Sequence, residues 1–174
     1  MNKMDKNKIC SYLKNKNIWF EITEHKPVFT MKELADIPFP YPQADAKNLF
    51  VRDDKKQHYY LITAKGDRRV NLKKFQQALQ TRRLSFASES DLMEIMGLPP
   101  GSVTPFGLLH DTKHLVQSYI DRSFLDDPGI IGVHPNDNTA TLWIKTKDLV
   151  LILQEFDCAV QVIDLINQRM CDLI

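Results

Sequence analysis

The segment Gly101-Ser102-Val103-Thr104-Pro105 follows Pro99-Pro100, and its chemistry would be that of main-chain amides. A glycine lets N–H groups come close to a ligand, and flanking prolines stiffen the loop around them. Such amides can stabilise a developing oxyanion without any charged side chain. A second feature is basic. Lys65, Arg68, Arg69, Lys73, Lys74, Arg82 and Arg83 stand against one acid, Asp67, for a net of +6 across residues 65–83. Phe75 and Leu79 interleave with these cations, which reads as an amphipathic helix with basic flanks. Its functional reading is contact with a phosphate backbone, which is salt-dependent and carries no base specificity. The bland alternative is a solvated helix face.

Other chemistries find less support. His110 and His114 have i,i+4 spacing with Asp111 between them, but a zincin needs Glu directly after the first His on a helix. Two surface histidines in a loop are the simpler reading, and no metal or other cofactor is expected. Neither G-x-S-x-G, G-x-G-x-x-G nor G-x-x-x-x-G-K-[ST] occurs. Cys10, Cys158 and Cys171 are scattered, without a C-x-x-C pair, so neither a zinc knuckle nor a disulfide framework is expected.

The chain has 174 residues, enough for one domain with a substantial core. The net charge of +1 hides a split. Residues 1–83 carry +9 and residues 84–174 carry −8. Such asymmetry fits an anionic partner on one face. The lysine-rich start has no signal-peptide pattern. The longest strongly apolar run, Leu149–Leu153, is far short of the ~20 residues that span a bilayer. A cytoplasmic protein with reduced thiols and no membrane partner is the expectation.

These groups need elements to hold them. Asp5–Asn15 reads as a helix, Ile18–Ile22 as a strand, and Thr30-Met31-Lys32-Glu33 as a capping box that starts a short helix. Phe39-Pro40-Tyr41-Pro42 reads as irregular. Asn48–Arg52 and His58–Thr63 form a hairpin around Asp53–Lys56. A helix covers about Asn71–Thr81, and Leu84–Phe86 is a short strand. Ser88 and Asp91 cap a helix to Met96 that Gly97 stops. Gly107–Leu109, Val116–Asp121, Ile130–His134, Thr139–Ile144 and Ala159–Ile163 are further candidate strands. Thr146 is expected to cap a helix running to Phe156. The predicted fold is α+β, with a mixed, mostly antiparallel sheet and flanking helices in a single domain over residues 1–174.

Four segments in order are more specific than any one alone: Lys47-Asn48-Leu49-Phe50-Val51-Arg52-Asp53, Arg83-Leu84-Ser85-Phe86-Ala87-Ser88, Pro100-Gly101-Ser102-Val103-Thr104-Pro105-Phe106-Gly107-Leu108, and His134-Pro135-Asn136. This order resembles the YbaK-like aminoacyl-tRNA editing domains, within them most the free-standing prolyl-tRNA deacylases that act on alanyl-tRNA(Pro). The resemblance runs from about His25 to Ile163.

That resemblance implies a trans-editing hydrolase that cleaves a mischarged aminoacyl ester with a positioned water. Lys47 is implied to hold the phosphate or ribose of the 3′-terminal adenosine, with Asn48 beside it. Gly101–Pro105 would line the aminoacyl site, the amides of Ser102, Val103 and Thr104 would polarise the carbonyl, and His134 would shape or orient the pocket. Arg83 is implied to contact the acceptor stem, and Lys73, Lys74 and Arg82 extend the tRNA-binding set. The partners implied are the acceptor end of mischarged tRNA(Pro) and prolyl-tRNA synthetase, not DNA. Where the family usually has Asn-Asp, this chain has His110-Asp111. Two alternatives stay open: a related deacylase for cysteine, serine or threonine, and a non-catalytic module that binds aminoacyl-tRNA.

Overall fold

The chain is described as a computed structural model covering residues 4–27, 31–34 and 36–172. Helix α1, Lys6–Asn15, begins where the Asp5 carboxylate accepts the Lys8 amide, and it buries Ile9 and Leu13 one turn apart. Strand β1, Phe20–Glu24, and the single turn α2, Met31–Leu34, follow. The expected capping box at Thr30 lies outside the described residues. The irregular Phe39–Pro42 segment gives way to a 3-10 turn over Pro42–Ala44.

Next come β2, Ala46–Asp53, and β3, Tyr59–Lys65, paired antiparallel as the hairpin signal predicts. Helix α3 spans Leu72–Leu79 with Asn71 as its cap, β4 spans Leu84–Phe86, and α4 spans Glu89–Met96. Ser88 and Asp91 form the complete capping box of α4, and Gly97 ends it in the left-handed region. Strand β5, Val116–Asp121, precedes a 3-10 turn over Arg122–Leu125, β6, Ile130–Val133, and β7, Ala140–Lys145. Helix α5, Thr146–Glu155, β8, Ala159–Asp164, and β9, Arg169–Cys171, complete the chain.

The fold is α+β, but its strands form two sheets rather than one. Strands β1-β7-β6 make a small antiparallel sheet, and β4-β2-β3-β5-β8-β9 make a large mixed one. Five of the seven strand pairs are antiparallel, while β3–β5 and β5–β8 are parallel. Six consecutive residues of β3 are buried, the mark of a strand covered on both faces. On one side Phe50, Tyr59 and Leu61 join a core with α1, α4, α5 and the small sheet. On the other, Val51, Tyr60 and Ile62 pack under Phe75 of α3. Truncating Phe75, fully buried there, to Ala would cost about 3–5 kcal/mol.

Three expectations change. Gly107–Leu109 is not a strand but part of a 3-10 turn over Pro105–His110, whose apolar residues are buried without sheet partners. Thr146 does not cap α5. Lys145 occupies the cap position, and the Thr146 hydroxyl donates to the Phe124 carbonyl at 2.7 Å. Strand β9 is additional; its short, largely exposed sequence carries no alternation to reveal it. No helix among the described residues is long and apolar enough to cross a membrane.

Candidate active site

Among the described residues, one isolated parallel bridge, Asp45 with Gly132, links the two sheets. Gly132 also pairs with Trp143 across the small sheet. A Cβ at residue 132 would stand 2.3 Å from the buried Trp143 ring, so only glycine lets β6 pass. Two residues beyond this bridge stand Lys47 on one strand and His134 at the end of the other. The bridge therefore ties the strand that carries Lys47 to the strand that ends before His134.

His134 is held from both ends. Its carbonyl accepts the Thr104 hydroxyl at 2.6 Å, and its Nδ1 donates to the Ala140 carbonyl at 2.9 Å. That second bond leaves Nε2 as the lone-pair nitrogen. Burial pushes the His134 pKa below the ordinary histidine value, and the nearby His25 ring, 6.1 Å away, acts in the same direction. Sequence reasoning missed His25 as a site neighbour. Its Nε2 accepts the Thr141 hydroxyl at 3.0 Å, and its Nδ1 donates to the Lys26 carbonyl at 2.8 Å. In both rings a backbone carbonyl accepts from Nδ1, which fixes the ring's orientation.

Thr104 also anchors the loop. Gly101 has φ +81°, a conformation that favours glycine, and Ser102 and Thr104 are buried. The Ser102 amide donates to the Pro99 carbonyl at 3.2 Å, so it closes the turn and is not free for a substrate. Among the described residues, the amides of Val103 and Thr104 have no backbone partner. The loop and His134 are therefore brought together directly, through a hydroxyl that spans 30 residues of sequence.

Lys47 reaches the region differently. It pairs with Ala64 and alternates along β2 with Leu49 and Val51, which puts it on the α3 face of the large sheet. Its ammonium makes no ion pair among the described residues. Burial lowers its pKa, and Asp67 partly opposes that. No hydrogen bond ties Lys47 to the loop or to His134. Asn48 turns to the opposite face, where its Oδ1 accepts the Thr63 hydroxyl at 2.7 Å. Asp45 is a site neighbour that no motif revealed. Burial raises its carboxyl to about 7, with the Ala46 amide only partly offsetting this.

The basic set divides into paired and free members. Arg82 chelates Asp54 with bonds of 2.6 and 2.9 Å, Arg68 pairs with the buried Asp121, and Lys65 lies over the Phe124 ring. Arg69, Lys73, Lys74 and Arg83 are exposed and make no ion pair among the described residues. The free cations of α3 and Lys47 share one face of the large sheet.

His110 is not the surface loop histidine expected. It is half-buried in the 3-10 turn, Nδ1 donating to the Met96 carbonyl at 2.8 Å and Nε2 accepting the Met4 amide at 2.9 Å. Asp111 is buried and accepts the Val116 amide at 2.8 Å. Among the described residues, no group of three or more His, Cys, Asp or Glu is placed to hold a metal. A cleft of about 440 Å³ lined by Pro128, Gly129, Lys145 and Lys147 shares no residue with the region around His134.

Residues 25–152 match the family described as the aminoacyl-tRNA editing domain. The chain is 35% identical over 149 residues to the prolyl-tRNA editing protein ProX of Acetoanaerobium sticklandii, covering 86% of this chain and 90% of that protein. It is 31% identical over 137 residues to prolyl-tRNA synthetase associated domain-containing protein 1 of Mus musculus, covering 77% and 80%. A crystal structure described as a candidate trans-editing enzyme for prolyl tRNA synthetase superposes with a TM-score of 0.68 at 21% identity, covering 94% of this chain and 98% of that one. That last likeness speaks to the fold.

Proposed function

The chain belongs to the aminoacyl-tRNA editing domain family, and from that premise we propose that it is a trans-acting deacylase that removes alanine from mischarged tRNA(Pro). The observation that carries the reading is the Thr104–His134 bond. It joins the amide loop to the backbone of His134, two residues beyond the bridge, as Lys47 is on the other strand.

The chemistry asks little of the protein. Water attacks the ester carbonyl, the bond from that carbon to the ribose oxygen breaks, and the ribose oxygen takes up a proton. The products are free alanine and an uncharged 3′ end. The Val103 and Thr104 amides serve the oxyanion as it forms, a role backbone N–H groups fill without a metal. Lys47 neutralises and orients the terminal adenosine, and its lowered pKa reflects a partly desolvated ammonium ready for an anionic partner. His134, neutral and held at Nδ1, presents Nε2 as an acceptor that orients the substrate or the water. A small pocket rejects prolyl esters by size, whereas discriminating alanine from smaller groups yields only about 1–3 kcal/mol per methylene. Recognition of the tRNA itself supplies the remaining selection, through the free cations near α3, with prolyl-tRNA synthetase as a second partner.

The test is a deacylation panel of alanyl-, prolyl-, glycyl-, cysteinyl-, seryl- and threonyl-tRNA with wild type and Lys47→Ala. The expected result is preferential hydrolysis of alanyl-tRNA(Pro), lost in Lys47→Ala. Preference for another amino acid would replace the substrate, and binding without turnover would replace the activity.

A further inference from the structure

Two contacts converge on the Met4 backbone, outside the family's matched segment, and a third ties one of its partners to the loop side. The Met4 amide donates to His110 Nε2 at 2.9 Å, and the Met4 carbonyl accepts Asn136 Nδ2 at 2.7 Å. The same Asn136 amide donates to the Phe106 carbonyl at 3.2 Å. His110 in turn donates from Nδ1 to the Met96 carbonyl at the end of α4. The family match begins at residue 25, so Met4 lies outside it.

The partners are what make this peptide notable. Phe106 and His110 both belong to the 3-10 turn over Pro105–His110 that continues the Gly101–Pro105 loop, His110 as its last residue. Asn136 follows His134 by two residues and holds a positive φ of +58°, a conformation in which Asn is favoured. Its Oδ1 is buried without a partner among the described residues, so its two carbonyl contacts fix the amide's orientation. Met4 also packs its side chain against the core between the sheets. The peptide is thus a cross-brace from the loop side of the site to the imidazole side.

We infer that the Met4 peptide, clasped between His110 and Asn136, is a positioning element of the deacylase site, setting the Gly101–Thr104 loop against His134. This rests on the deacylase reading above. It also accounts for His110 where the family usually has Asn. An asparagine side chain is too short to bridge the Met96 carbonyl and the Met4 amide from residue 110, whereas the imidazole places a donor and an acceptor on opposite sides of its ring.

The experiment uses Met4→Pro, which removes the donated N–H, read against Met4→Ala, which removes the packed side chain and keeps that N–H. It is paired with His110→Gln, which keeps an acceptor at the reach of Nε2, and His110→Asn, which does not. Steady-state kinetics on alanyl-tRNA(Pro) are measured beside amide hydrogen exchange of residues 101–110 and 134–139. The expected result is a fall in kcat of about ten- to a hundredfold for Met4→Pro and His110→Asn, with KM nearly unchanged. Exchange should rise in both segments while β3 and β5 stay protected, and His110→Gln should recover much of the lost kcat. Unchanged kcat and exchange in Met4→Pro would overturn the inference. So would His110→Asn matching or exceeding His110→Gln, or an exchange increase spread evenly over the large sheet. If the wild type failed to hydrolyse the ester, the deacylase reading would fall, while the exchange data would still decide whether Met4 braces the two segments.

Discussion

The Thr104 hydroxyl donates to the main-chain carbonyl of His134 at 2.6 Å, with Thr104 fully buried. One bond therefore fixes the spacing between the candidate oxyanion loop and the candidate imidazole. Thr104→Val keeps the shape and removes the donor. The His134 carbonyl is then left unpaired in a buried place, a loss of about 1–3 kcal/mol in stability. Deacylation kcat should fall further than stability alone explains, because the loop amides lose their register. Thr104→Ser should restore most of both. Denaturant titration and single-turnover deacylation read the two effects separately, and a Thr104→Val enzyme of full kcat would detach the loop from His134.

His134 bears on acid sensitivity. Its folded-state pKa is lowered from 6.5 by burial. An unfolded chain therefore takes up the proton first as pH falls, and stability is lost from about 6.5 downward until the folded value is passed. His134→Gln, which cannot titrate, should flatten that stretch of the stability curve. Deacylation by wild type should hold level from neutral pH into the upper part of this window, since Nε2 stays an acceptor there. A melting-temperature series from pH 5 to 8 on both proteins is the check. Parallel curves would remove His134 from the acid response.

What the sequence makes legible is local. The α4 capping box and the left-handed Gly97 lie within ten residues, so side-chain type alone identifies them. The hairpin of β2 and β3 is visible because its strands flank one polar turn. The Thr104–His134 bond spans 30 residues and the Asn136–Met4 bond 132, and no periodicity encodes either. Gly107–Leu109 reads as a strand because its residues are apolar, yet burial in a 3-10 turn demands the same residue types. The close pairing of β6 with β7 depends on Gly132 admitting Trp143, a fit between residues paired across strands. The motif order pointed to Lys47, the loop and His134. It did not show that the Ser102 amide is already engaged, nor that Asp45 and His25 stand beside them.

The cations are unequal because Asp54 holds Arg82 at 2.6 and 2.9 Å. Arg83, one residue on, is exposed and makes no ion pair among the described residues. Arg83→Glu and the double change Lys73→Glu, Lys74→Glu should weaken tRNA binding and flatten its salt dependence. Each lost phosphate contact reduces the slope of log K against log salt by about 0.7–0.9. Arg82→Ala should do less than Arg83→Ala. Asp54→Asn should strengthen binding, since it frees a guanidinium and removes a negative charge. Filter binding at several salt concentrations decides this; equal effects of Arg82→Ala and Arg83→Ala would show that the pairing with Asp54 opens at no cost to tRNA.

Asp45 joins the two sheets through its backbone while burial lifts its carboxyl from 3.8 to about 7. A raised carboxyl pKa means that the folded state holds the proton where the unfolded chain has released it. Stability contributed by Asp45 is therefore complete below about 4, declines as pH rises to about 7, and is constant above that. Asp45→Asn keeps the size and cannot ionise. Its stability should match the wild type near pH 4 and exceed it at pH 8, by on the order of 1–3 kcal/mol once water access is allowed for. Urea denaturation at the two pH values measures the difference. A neutral carboxyl below pH 7 also spares the region around Lys47 a charge that would compete with substrate phosphate for the ammonium. Asp45→Asn should then bind tRNA more tightly at pH 8 and equally at pH 5.5. Equal affinity at both values would confine Asp45 to the seam between the sheets.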